Sequence, residues 1–144
     1  MRGFRVLRVI AKLLIPFILI FGLYVQFHGD YGPGGGFQAG VIVAAAVIFH
    51  ALIYGLPHTQ RVLPEWVVET MLAVGVLLYT GVGVVSMMMG GNFLDYSVLL
   101  HNAVDGQHRG IFLVELGVGI TVAGVMLMIF YMFAGRARSK YSEK

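Results

Sequence analysis

The sequence predicts an all-α membrane protein: four transmembrane helices, with a glycine-rich turn between the first two. Three observations predict it. The chain is 58% hydrophobic and only 12% charged, where an ordinary soluble domain carries roughly 25% charged residues. Four apolar runs each reach the length a hydrocarbon core requires, about 17–25 residues. Basic residues collect on one side of a four-helix topology. A length of 144 residues fits a single membrane domain over 1–144.

The first helix is expected over about residues 9–27. Pro16 lies inside it, removes one backbone hydrogen bond and should kink it. The run is too long for a cleaved signal peptide, and no small-residue cleavage site is evident before the glycine turn. The second helix is expected over 36–55, the third over 65–89 and the fourth over 110–133. Leu56 to Pro64 reads as a tight connection with two prolines. Pro64 followed by Glu65 opens the third helix well, because a carboxylate in the first turn suits the positive end of the helix dipole. Met87, Met88 and Met89 end that helix and suit an irregular lipid or subunit contact. The 90–109 connection is half apolar, with Phe93, Leu94, Tyr96, Leu99 and Leu100, and predicts a short element lying in the membrane interface.

The turn itself is the densest local signal. Residues 28–36 hold five glycines and Pro33. Pro33 ends a helix arriving from behind, and the glycines allow close backbone approach. Gly36 and Gly40 stand at small-xxx-small spacing, with Ala44 one step on, which predicts tight packing of the second helix. Pro33, Gly34, Gly35, Gly36, Phe37 and Gly40 are therefore assigned as a helix-packing motif, with Phe37 against the first helix or a partner subunit. A tight loop and nothing more is the competing reading.

Nine of the ten Lys/Arg residues fall on one side of this topology, and Arg109 alone falls on the other. The positive-inside rule then places both termini in the cytoplasm of a multi-pass cell-membrane protein, with the glycine turn and the 90–109 loop outside.

An ionisable group within a span is costly and is a functional candidate by default. Glu115 is the foremost candidate for an ion path, about five residues into the fourth span, with Gly119 one turn further along the same face. A structural carboxylate bonded to a neighbouring subunit is the alternative. Glu69, one turn into the third helix, is a second candidate, although the helix dipole alone favours it there. His50, near the inner end of the second helix, reads as a proton relay or as a packed histidine. Asp30 lies in the glycine turn, where a carboxylate and backbone carbonyls could line a cation mouth, since hard cations prefer oxygen ligands; a loop aspartate bonding its own turn is the competing reading. His101, Asp105 and His108 would share one face if helical, but lack a zinc motif, so no metal site is assigned. No catalytic constellation, cofactor motif or nucleic-acid signature is present, which argues against an enzyme.

The run Pro33-Gly34-Gly35-Gly36-Phe37-Gln38-Ala39-Gly40, with His28 before it, resembles the MnhB/MrpB subunit of multisubunit Na+/H+ antiporters. The segments Asn92 to Tyr96, Gly106 to Ile111 and Val114 to Gly124 resemble the second half of that family in the same order. The resemblance spans about residues 8–135. It implies a small non-catalytic membrane subunit of a hetero-oligomeric Na+(Li+)/H+ antiporter, surrounded by lipid and by other membrane subunits, which supports assembly and borders the cation route. The alternative is an equivalent small subunit of a membrane-bound, hydrogenase-type redox complex. A stand-alone homo-oligomeric channel is a third reading.

Overall fold

The computed structural model describes residues 2–29, 32, 34–100 and 102–142. Five helices follow one another: α1 (Arg2–His28), α2 (Gly36–Tyr54), α3 (Leu56–Val62), α4 (Glu65–Met88) and α5 (Ala103–Ser142), with a single 3-10 turn at Tyr96–Val98 before the last. Among the described residues there is no strand. Four of the helices are long and apolar enough to cross a membrane, as the composition predicts.

α5 is the organising element. It packs against α4 on one side and α2 on the other, while α1 packs mainly on α2. Small residues make these approaches possible. A Cβ on Gly40 would stand 2.5 Å from the Gly119 carbonyl oxygen, and one on Gly117 would stand 2.9 Å from that of Gly75. α5 therefore meets α2 through Gly119 and α4 through Gly117, backbone against backbone. In a bilayer this matters because lipid tails are as apolar as leucine, so helix association rests on close packing. The small face around Gly117 and Gly119 is covered by helices of the same chain.

The two ends of the bundle are distinguishable by their cross-links. Tyr54 Oη donates to the Arg8 carbonyl at 2.9 Å, and Tyr131 Oη donates to the Leu63 carbonyl at 2.9 Å. Arg8, Arg61 and Arg136 lie towards this end. Its core is Ala44, Val68, Leu127 and Tyr131, with Val47, Ile48, Met128 and Phe130 around them. The opposite end carries the glycine turn and the 90–102 loop.

Three local features differ from the expected outline. The helix that carries the fourth apolar run starts at Ala103, because Asp105, Gln107, His108 and Arg109 continue it beyond that run. Residues 56–62 form a helix of their own: Gly55 at φ 91° ends α2, and Pro57 occupies its first turn. The 90–102 loop folds back onto the bundle. The Phe93 ring fills the space over Gly83, and Tyr96 lies over Gly106 and Gly110. Burial, and secondarily Tyr79, push the Tyr96 phenol above its ordinary range. The outward faces are apolar: Phe17, Leu77 and Met88 are 68%, 69% and 82% exposed.

Candidate functional site

Glu115 lies where α5 passes beneath the glycine turn. The turn folds over its side chain from both sides. A Cβ built on Gly29 would stand 2.7 Å from Glu115 Oε2, and one built on Gly35 would stand 2.7 Å from Oε1. The next glycine, Gly36, touches the Glu115 backbone carbonyl so closely that no side chain fits between them. The carboxylate thus sits in a seat whose two walls are the chain entering the turn and the chain leaving it.

The local sequence explains the seat. α1 ends at His28, whose ring stacks on Tyr24 at 5.1 Å. The two ends of the turn lie close together, since a Cβ built on Gly29 would stand 3.2 Å from the Gly34 carbonyl oxygen. Gly34 has φ +136°, a conformation that side-chain-bearing residues rarely adopt, and a Cβ there would press on Val25 Cγ1 at 2.9 Å. α2 then starts at Gly36, with the Ala39 amide donating to the Gly35 carbonyl at 3.0 Å. Gly36 and Gly40 both face α5, one turn apart, against Glu115 and Gly119. The small-xxx-small spacing read from sequence is the α2–α5 contact itself, and Ala44 extends it into the core.

The other candidates are not brought to this seat. Asp30 and Pro33 lie outside the described residues, as does His101. Phe37 is 61% exposed and projects from the bundle. Glu69 is exposed on α4, near the basic end. His50 is also near that end: its Nδ1 is 2.7 Å from Thr59 Oγ1, and its ring packs on Tyr54 and His58 at 4.7 and 5.6 Å. His50 thereby ties α3 to α2 at the end of the bundle opposite Glu115. Asp105 and His108 stand on the first turns of α5, and no group of three metal-capable side chains occurs among the described residues.

Gln26 was missed by the sequence reading. It is 5% exposed, its Oε1 lies 2.8 Å from where a Cβ on Gly119 would stand, and its Nε2 has no hydrogen-bond partner among the described residues. The signal available was a lone polar residue inside an otherwise apolar run.

This geometry can be set beside known proteins. The family described as "Domain related to MnhB subunit of Na+/H+ antiporter" matches residues 6–128. This chain belongs to the MnhB family. A protein of Staphylococcus haemolyticus (strain JCSC1435), named as antiporter subunit mnhB2, is 33% identical over 133 residues, covering 90% of this chain and 94% of its own length. A protein of the same name from Staphylococcus aureus (strain Newman) is 32% identical, with the same coverage. The MnhB match includes the glycine turn, Gln26 and Glu115, so the seat belongs to the shared part of the chain. MnhB names a transporter family, not an enzyme family.

Proposed function

We propose that this chain is a small integral-membrane subunit of a multisubunit Na+(Li+)/H+ antiporter, and that Glu115 borders the cation route. The observation that carries the second half is the seating of the Glu115 carboxylate between Gly29 and Gly35 at the turn end of the bundle. A carboxylate is costly within a span unless it serves a partner or a path. Here it lies at the mouth of the helix bundle, at the level where α1 ends and α2 begins, within reach of water. It can attract a monovalent cation or exchange a proton there. Among the described residues there is no broken helix of the kind found in self-sufficient carriers, and the relatives are named as antiporter subunits, which supports action together with other membrane subunits. The hydrogenase-type setting is not favoured, because the relatives carry antiporter names.

We infer from the positive-inside rule that the basic end and both termini are cytoplasmic and that the Glu115 seat lies on the outer side.

Glu115→Gln keeps the size and most of the hydrogen bonding of the side chain and removes its titratable charge. Antiport by inverted vesicles containing the assembled complex is expected to fall severalfold or to shift its pH and Na+ dependence, because the titratable charge is gone. Wild-type antiport across pH and Na+ concentration from an assembled Glu115→Gln complex removes the ion-path role.

A further inference from the structure

α4 packs extensively on α5 and on no other helix. The rest of its circumference is open, and Glu69 stands there exposed, with Trp66 and Ala73 on the same face. The contacts along α5 fix how deep that carboxylate lies. A Cβ on Gly117 would stand 3.0 Å from the Tyr79 amide nitrogen, one on Gly75 2.8 Å from that of Thr121, and one on Gly124 3.3 Å from that of Leu72. The two helices run antiparallel in this register, so one further turn sets Glu69 level with Leu127, which shares the buried core with Val68. Arg109 and Arg136 flank the apolar part of α5. Residues 110–135 between them span about 39 Å at 1.5 Å per residue. Wherever a hydrocarbon core of about 30 Å is set within that length, the level of Leu127 and Glu69 lies inside it.

A carboxylate at that depth is unfavourable without a partner. Its neighbours have theirs. Glu65, one turn nearer the basic end, accepts from Gln60 Nε2 at 2.8 Å, and the Thr70 hydroxyl donates to the Trp66 carbonyl at 2.7 Å. Among the described residues nothing bonds Glu69. Lipid tails offer no donor, and the glutamate stem is too short to reach the headgroups as a lysine's does. A lysine, arginine or histidine on a helix laid against α4 supplies both the opposite charge and the hydrogen-bond donor, and ionisable groups within membranes commonly pair with one another. We infer that the open face of α4 around Glu69 is an interface with a transmembrane helix of another subunit, which pairs a basic side chain with this carboxylate. The inference rests on the antiporter-subunit reading, since it requires a partner protein in the membrane. Lys12, exposed on α1, makes a second copy of this chain the competing source of a cation.

Trp66, 66% exposed and about one turn from Glu69, is replaced by the photoreactive p-benzoylphenylalanine. Native membranes are irradiated, and the complex is purified through this chain. The expected adduct is with another co-purifying subunit, on a helix that carries a lysine, arginine or histidine within one turn of the cross-linked site. Glu69→Gln, which keeps the size and removes the charge, should lower the adduct's yield severalfold. Glu69→Lys should lower it further, and reversing the partner's cation to glutamate should restore it. An adduct with lipid alone, or with a second copy of this chain, in a complex that retains its other subunits overturns the interface and leaves the antiporter reading intact. An adduct on a helix without a basic residue does the same. An unchanged yield with both Glu69 variants overturns the charge pair. If no other subunit co-purifies, both readings fall.

Discussion

At the basic end of the bundle, Leu127 and Val68 are fully buried between helices, with Ala44 beside them and Tyr131 fastened to the Leu63 carbonyl. At the turn end there is little side-chain interior. Gly36 meets the Glu115 backbone, Gly40 meets Gly119, and Phe93 and Tyr96 lie on Gly83, Gly106 and Gly110. The first end resembles the core of a soluble helical bundle, where large side chains interdigitate. The second is held largely by contacts on glycines, and at Gly36 and Gly40, where backbone meets backbone, no added volume is tolerated. The difference shows how one small chain divides its work: the end with bulky packing anchors the bundle, while the glycine end leaves space for a carboxylate among closely spaced helices.

Substitutions can break this comparison. The largest effect is expected at Gly36, where any side chain meets the Glu115 carbonyl and neither backbone can yield. Gly36→Leu should leave little assembled complex on a native gel of solubilised membranes, well beyond the ~1–3 kcal/mol typical of overpacking in a deformable core. Normal assembly would mean that α2 and α5 are not in fixed register. Leu127→Ala comes next, with a loss of about 2–5 kcal/mol for a fully buried leucine, read as a lower midpoint in thermal inactivation of the complex. An equal loss for an exposed leucine such as Leu77 would refute the distinction between the core and the lipid-facing surface.

Gly35→Ala sharpens the comparison further. Its new methyl meets only the far end of the Glu115 side chain, which can swing aside. Assembly should survive while antiport changes in the direction seen for Glu115→Gln. Retained antiport with full assembly would separate the seat from transport. The smallest effect is expected for Gly81→Ala, since nothing lies within 4 Å of that position. Its change should stay within about 1 kcal/mol, on the stabilising side, because alanine is the better helix former. A marked loss of assembly would place a partner against Gly81.

The four spans were legible because a bilayer demands a fixed length and an apolar composition, and both are local properties. Gly36 and Gly40 were legible because their spacing is a feature of a single helix. That Gly29 and Gly35 wrap the Glu115 side chain was not legible. It depends on α5 passing beneath a turn some 80 residues earlier in the chain, and pattern reading along one helix carries no such pairing. Asp105, Gln107, His108 and Arg109 read as loop because hydropathy marks where a helix leaves the membrane, not where it ends. Gln26 went unremarked because attention to ionisable groups passes over a neutral amide. His50 and Thr59 lie on opposite sides of Gly55, and only the formation of α3 brings them together.

α5 has 40 residues, about 60 Å at 1.5 Å per residue, whereas a bilayer with its headgroups is about 40–45 Å thick. One unbroken helix is therefore longer than the bilayer is thick. The Tyr96 loop grips it at Gly106 and Gly110, and the Leu63 carbonyl holds it at Tyr131. The seat at Glu115 and the anchor at Tyr131 are thus two stations on a single helix, about 24 Å apart along its axis.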